Sequence, residues 1–308
     1  MLVTLGELLV EIMATELGQP FDRAGTFAGP YPSGAPAIFA DQAARQGCAT
    51  AIAGVVGDDG FGDCVTDRLR ADGVDVAAVR RIAAPATGVA FVTYAADGER
   101  TFIFHLANAA CGLIAADDVA QLPMERATCL HLMGSSLGAP GMAAAARAAL
   151  ARLPAGALLS FDPNVRPELL RDAATAALVR DLAGRADLLL PSEADLSFLR
   201  PELLENAAAV GYLATARAVL VKRGVRGTAL YLPDRRIETP AFAVEEVDPT
   251  GAGDCAGATF VSGWLAGTPL DALVRQVNAA GALAVSKRGP MEGNSTPAEI
   301  AAFLAGRP

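Results

Sequence analysis

The sequence predicts a doubly wound α/β fold, with a mainly parallel sheet flanked by helices and a small β lid. Three observations carry this prediction. Short apolar, β-rich runs alternate with stretches of helical spacing through most of the chain. Of 308 residues, 52% are apolar, enough to bury one large sheet under helices. Two early β-rich segments break the alternation and belong to a separate, smaller sheet.

The elements follow in order. "LVTLG", Leu2–Gly6, reads as a short buried strand, and a second apolar run spans Leu8–Met13. "SGAPAIFADQAARQG" has helical spacing, with Ser33 as its cap candidate and Gly47 as its stop. "ATAIAGVVG" is a strand, and "DGFGDCVTDRLRADG" is a helix stopped at Gly73. "TGVAFVTYAADGERTFIFHL" contains two β runs around the turn signal "ADGE". "ATCLHLMG" and "GALLSFDPN" are strands with an Ala-rich helix between them. "RADLLLPS" and "ARAVLVKRG" are strands separated by helical sequence, and "GTALYLPDRRIET" is a hairpin. The end is helical at Gly251–Ala266, Pro269–Lys287 and Pro297–Leu304. The expected organisation is one domain, 1–308, with lid segments at about 8–32 and 86–107.

Composition excludes several functions. Charged residues are only 19% of the chain, which argues against disorder. The net charge is −9 with no Lys/Arg stripe, so nucleic acid is not an expected partner. The five cysteines are odd in number and form no CxxC, which fits reduced thiols in a cytoplasmic protein. Only His105 and His131 exist, too few for a His-rich zinc site. "MLVTLGELLVEIM" holds Glu7 and Glu11 and has no basic leader. The longest uncharged run, Ala127–Ala146, is interrupted by "GSSLGAPG", so no membrane partner is expected.

Chemistry concentrates in "DPTGAGDCAGATF", Asp248–Phe260. Small residues at a helix start let backbone N–H groups approach an anion. Asp254 directly after Gly251, Ala252 and Gly253 is then either a helix-dipole partner or a base beside the bound anion. The P-loop GxxxxGK[ST] and the dinucleotide fingerprint GxGxxG are both absent. "GSSLG", Gly134–Gly138, matches a nucleophile elbow around Ser136, but both histidines precede it, so it reads as a turn lining a cleft.

"DPTGAGDCAGATFVSGWLAG" resembles the C-terminal signature of the ribokinase-like (PfkB) sugar kinases, and "SGAPAIFADQAARQG" resembles their N-terminal glycine signature. "GVVGDDGFGDCVTDRLRADGVDV", "FDPNVRPELL", "LVKRGVRG" and "NAAGALAVSKRG" follow in that family's order, so the resemblance spans nearly the whole chain. The resemblance implies an ATP-dependent kinase acting on a primary hydroxyl of a small ketose-type sugar. In it, Asp254 is the base and Gly251, Ala252 and Gly253 form the anion hole. It places Glu11, Ser33, Gly34, His105 and Arg166 at the sugar. It places Asp162, Asn164 and Ser192 toward the phosphates, Lys222, Gly224 and Gly227 in the nucleotide loop, and Asn278 near adenine. A potassium site would use Asp248, Thr250, Ala284, Lys287 and Gly289, and Asp195 is the magnesium-linked position. A homodimer formed through the lid is the implied assembly.

The chain departs from the family pattern in four places. Ser33-Gly34 replaces Gly-Gly, Ile38 replaces an Asn that often touches sugar, and Glu11 replaces an Asp. The magnesium-linked NxxE motif appears as Ser192-Glu193-Ala194-Asp195. Among substrates, a fructose- or tagatose-like ketohexose competes with 2-keto-3-deoxygluconate, whose kinases carry an Arg where His105 stands here. A binding protein without turnover is the reading from a different class. Cys255 reads as a small buried thiol in a helix.

Overall fold

A computed structural model describes residues 1–95, 100–106, 108–166 and 172–307. The large sheet is built around strands whose residues are all buried: β1 (Leu2–Leu5), β4 (Thr50–Gly57), β8 (Cys129–Met133) and β9 (Leu158–Asp162). Strands buried on both faces are expected of parallel pairing under two helical layers. β5 (Val79–Ile82), β10 (Leu188–Leu189) and β11 (Ala218–Lys222) extend the parallel set, while β12 (Thr228–Tyr231) and β13 (Arg236–Thr239) add an antiparallel edge. The order is β13-β12-β11-β10-β9-β8-β1-β4-β5.

Alternation along each strand divides the core. Leu2, Leu188 and Leu220 point to α1 (Ala35–Arg45), α7 (Ala252–Leu265) and α8 (Leu270–Val285), meeting Phe39, Phe260 and Val277. Val3, Leu189 and Val219 point the other way, to α3 (Met142–Arg152), α4 (Ala173–Arg185) and α6 (Glu205–Tyr212). The remaining helices are α2 (Gly60–Ala71), α5 (Glu193–Leu199) and α9 (Pro297–Leu304).

The second sheet has four strands in the order β3-β2-β6-β7: β3 (Phe27–Ser33), β2 (Leu9–Ala14), β6 (Gly88–Tyr94) and β7 (Arg100–His105). Met13, Val92 and Tyr94 pack with Tyr31 and Phe102 on one of its faces. The predicted hairpin turn at 96–99 lies outside the described residues.

Two strands and one cap differ from expectation. β3 carries Gly29, Pro30 and Pro32 and reads as a loop, but as the edge strand of the small sheet it tolerates proline. β5 has four residues, two of them arginine, and is recognisable only through its pairing with β4. Ser33 does not cap α1: the cap position is Gly34, without a side-chain bond, and the Ser33 hydroxyl donates to Glu11 instead. No described helix is long and apolar enough to cross a membrane.

Candidate active site

A cleft of about 470 Å³ opens between the C-terminal ends of the parallel strands and the small sheet. Glu7 follows β1, Ser135 follows β8, Asn164 and Arg166 follow β9, and Lys222 ends β11. Leu9, Glu11, Ala90, Phe102 and Phe104 line it from the small sheet. In the large sheet, β1 pairs with β4 on one side and β8 on the other, so the strand order reverses there. Open α/β sheets bind ligands outside the strand ends at such a switch point.

The opening motif occupies one wall. Gly251 is the residue before α7 and has φ 81°, and a Cβ there would press on the Pro290 carbonyl oxygen. Only glycine fits this turn; the Ala252 N–H reaches back to the Pro249 carbonyl at 3.5 Å, while the N–H groups of Gly251 and Gly253 have no partner among the described residues. Gly251, Gly253 and Asp254 line the cleft, and Asp254 is only 8% exposed. Burial, then the nearby Asp162, raises its carboxyl from 3.8 to about 7. Asn164 Nδ2 lies 3.4 Å from Asp254 Oδ1. Lys222 pairs with the buried Asp162, and a Cβ built on Gly253 would sit 3.6 Å from Lys222 Nζ. A cation therefore stands beside the glycine backbone.

Glu11, Ser33, Gly34 and Ile38 also line the cleft, with Ile38 beside Gly251. Ser33 Oγ donates to Glu11 Oε1 at 2.7 Å, and the buried Oε2 meets no partner among the described residues. Burial raises the Glu11 carboxyl from 4.5 to about 7. At Gly34, φ is 109° and any Cβ would strike the Glu7 carbonyl, so the Glu7 backbone and α1 meet closely. Arg166 lines the cleft while remaining exposed.

His105 is a correction. Phe102, Phe104 and Leu106 line the cleft, and strand alternation turns His105 to the other face. There it is exposed and edge-on to Phe91, ring centroids 6.0 Å apart. Arg100, on the cleft side of β7, enters instead and donates to Thr250 Oγ1 at 2.8 Å.

Asp195 lines the cleft beside Ser192, and its carboxylate is also a cap. One of its oxygens accepts from the Val165 N–H, and the other from the Ser192 N–H and hydroxyl, both at 2.7 Å, in a capping box at α5. Ser-x-x-Asp, where NxxE is usual, thus forms a capping box at the cleft wall. Among the described residues no cluster of three or more His, Cys, Asp or Glu could hold a metal.

Ser192 and Gly224 line the cleft, whereas Gly227 and Asn278 do not. Gly227 packs on the loop at Thr239–Ala241, and Asn278 Nδ2 donates to the carbonyls of Thr239 and Pro240. Asp248 is fully buried, accepting from the N–H groups of Thr250 and Gly289 at 3.0 and 2.9 Å. It thereby ties the glycine loop to the end of α8, where Ala284 and Lys287 are bonded to each other through the backbone. Cys255 is buried and donates its thiol to Asn294 Oδ1. Ser136 donates to Glu7, so it is no free nucleophile, and His131 is a core residue stacked on Phe39.

A model of the pfkB family carbohydrate kinases matches residues 1–297. The chain belongs to that family. The kinase is 34% identical to Fructokinase-1 of Zea mays over 97% of this chain and 96% of that one. A candidate Ribokinase II from E. coli, solved with ATP and Mg²⁺, shares 43% identity at a TM-score of 0.94, covering 99% of this chain and 98% of that one. A fructokinase double mutant from Vibrio cholerae, bound to fructose, ADP and potassium, shares 25% identity at a TM-score of 0.85, with 98% of each chain covered.

Sequence reasoning missed Glu7, Arg100 and Ser135 as cleft residues of the kinase. Glu7 carried no signal beyond being an acid in an apolar stretch. Arg100 was hidden by the turn beside it. Ser135 was visible only as part of the turn "GSSLG".

Proposed function

We propose that this kinase transfers the γ-phosphoryl group of ATP to a primary hydroxyl of a fructose-type ketose. The observation that supports the reading is Asp254, buried at the start of α7 beside the unpartnered N–H groups of Gly251 and Gly253. A carboxyl raised to about 7 is matched to accepting a proton near neutral pH. Asp254 takes the hydroxyl proton as the sugar oxygen bonds to the γ-phosphorus and the bond to ADP breaks. The N–H groups of Gly251, Ala252 and Gly253 carry the charge on the phosphoryl oxygens, helped by Lys222. Glu11, Ser33, Gly34 and Arg166 hold the sugar. Asn164, Ser192, Gly224, Gly227 and Asn278 form or support the nucleotide side.

Relatives named fructokinase favour fructose as the acceptor. Arg100 favours a second reading. With Arg166 it gives the cleft two guanidinium groups, and a carboxylate substrate such as 2-keto-3-deoxygluconate needs such partners. His105, having turned away, no longer argues against that acid. Magnesium would be held mainly by phosphate oxygens and water, with Asp195 at the cleft wall facing that water, and it would neutralise phosphate charge. The buried Asp248 carboxylate, Thr250 and the backbone of Ala284, Lys287 and Gly289 supply hard oxygen donors that fit potassium, which would stiffen the anion-hole loop. The small sheet closes over the sugar as a lid. Its outer face, with Phe91 and the 42% exposed Ile103, pairs two copies into a homodimer. Five free cysteines support a cytoplasmic location.

The test is kcat/KM for fructose, tagatose and 2-keto-3-deoxygluconate at pH 7.5, read by ADP release. The ketose reading expects fructose or tagatose to win. An acid preference of about tenfold, or roughly 1.4 kcal/mol, overturns it in favour of the second reading. Equal ADP release without sugar overturns both.

A further inference from the structure

We infer that Asn294, anchored by Asp41, is a positioning residue that holds the Gly251–Gly253 turn and Asp254 in place from behind. The inference rests on the anion-hole and base roles proposed above. The back of the turn meets two elements. A Cβ built on Gly251 would press on the Pro290 carbonyl and lie 3.2 Å from Ile38 Cγ2, so the turn is seated on α1 and on the segment after α8. Asn294 belongs to that segment and joins it to both helices. Its Nδ2 donates to the Ile38 carbonyl at 3.3 Å and to Asp41 Oδ2 at 2.5 Å, both on α1. Its Oδ1 accepts the thiol of Cys255, the residue after Asp254, at 2.8 Å. One side-chain amide therefore ties the seat of Gly251 to the neighbour of the base.

The contacts lie in the interior: Asn294 is buried, and Asp41 and Cys255 are fully so. Gln42, beside Asp41 on α1, repeats the pattern. Its Nε2 donates to Thr259 Oγ1 of α7 at 3.0 Å and to the Ser295 carbonyl at 3.2 Å, and its Oε1 accepts the Ser295 N–H at 2.7 Å. The second Asp41 oxygen faces Arg68 Nε at 3.5 Å, and Arg68 Nη2 donates to the Met291 carbonyl at 2.7 Å, which fixes the same segment from α2. Burying a carboxylate and two side-chain amides is unfavourable, and burial pushes the Asp41 carboxyl upward. Apolar side chains would fill this space without that cost, but they would let the segment slide. Directed hydrogen bonds hold one arrangement. An anion hole works only when its donors stand where charge develops, so what fixes the seat of the turn also tunes the reaction.

Asn294→Leu keeps the side-chain size and removes the bonds to Ile38, Asp41 and Cys255. In folded enzyme supplied with ATP and fructose, kcat should fall by about tenfold or more while both KM values stay within about twofold. Cys255→Ala makes a smaller cut, at a helix position that suits alanine, and should lose about threefold or more in kcat. Cys255→Ser returns a donor to Asn294 and should recover at least about half of the unaltered turnover. A lowered melting temperature with unchanged kcat in Asn294→Leu overturns the inference, as does equal kcat in the two Cys255 variants. If Asn294→Leu does not fold, the Cys255 pair decides. Asp254→Asn, measured beside them, separates this inference from the reading it rests on. Full turnover in Asp254→Asn overturns the base itself. A loss there, with none in the Asn294 and Cys255 variants, overturns the positioning role alone.

Discussion

Asp254→Asn separates the base from the shape of the site. The amide keeps the side-chain volume and can still accept from Asn164, but it takes up no proton. General bases contribute about 10²–10⁴-fold, so kcat should drop by that factor, about 3–5 kcal/mol of barrier, with the KM for ATP little changed. Stability should move the other way. The Asp254 carboxyl is raised from 3.8 to about 7, so its charged form is disfavoured in the folded protein. Those roughly three units set an upper limit of about 4 kcal/mol. The Asn amide is itself desolvated, leaving a gain on the order of 2 kcal/mol, or about 3 °C for a chain of this length. Because the folded value is raised, the favourable contribution of Asp254 is complete below about pH 4 and is lost as pH rises through about 7. The melting difference between variant and parent should thus be near zero at pH 4 and largest at pH 8. A coupled ADP assay with fructose and melting scans across that range read both effects. Near-normal turnover, or a melting difference that ignores pH, refutes the assignment.

Three other outcomes follow from the same geometry. Gly251→Ala forces a Cβ against the Pro290 carbonyl at φ 81° and should lower both stability and kcat by more than about tenfold; a fully active variant would show that the turn tolerates a side chain. Ser192→Ala removes a capping box and should cost about 0.5–2 kcal/mol in melting scans while leaving the magnesium requirement unaltered; a shifted requirement at constant stability restores a metal-linked role for Asp195. Hydrogen exchange with and without sugar should show protection concentrated in Leu9–Ala14, Gly88–Tyr94 and Arg100–His105, and even protection along the chain counts against a lid.

The large sheet was legible because its strands are apolar on both faces and separated by helical spacing. Legibility failed where pairing or register decides. The segment Phe27–Ser33, with two prolines and a glycine inside it, becomes a strand only through its partner at Leu9–Ala14. In "TFIFHL" both faces carry bulky residues, so alternation could not say whether His105 or its neighbours meet the sugar. The glycine motif was legible because its chemistry is local: the turn, its N–H groups and the acid lie within four consecutive residues, Gly251–Asp254. Glu7, Arg100 and Ser135 are brought together from three distant strands, and no local spacing encodes that meeting. Ser192 and Asp195 show the converse. Their spacing is local, but a capping box and an altered metal motif look alike until the hydrogen bonds are seen.

A crystal structure with fructose and a non-hydrolysable ATP analogue tests the central claim most directly. The account predicts one primary hydroxyl within about 3 Å of an Asp254 carboxyl oxygen, with the γ-phosphate over the N–H groups of Gly251–Gly253. A sugar bound elsewhere, or a γ-phosphate remote from that turn, would contradict it.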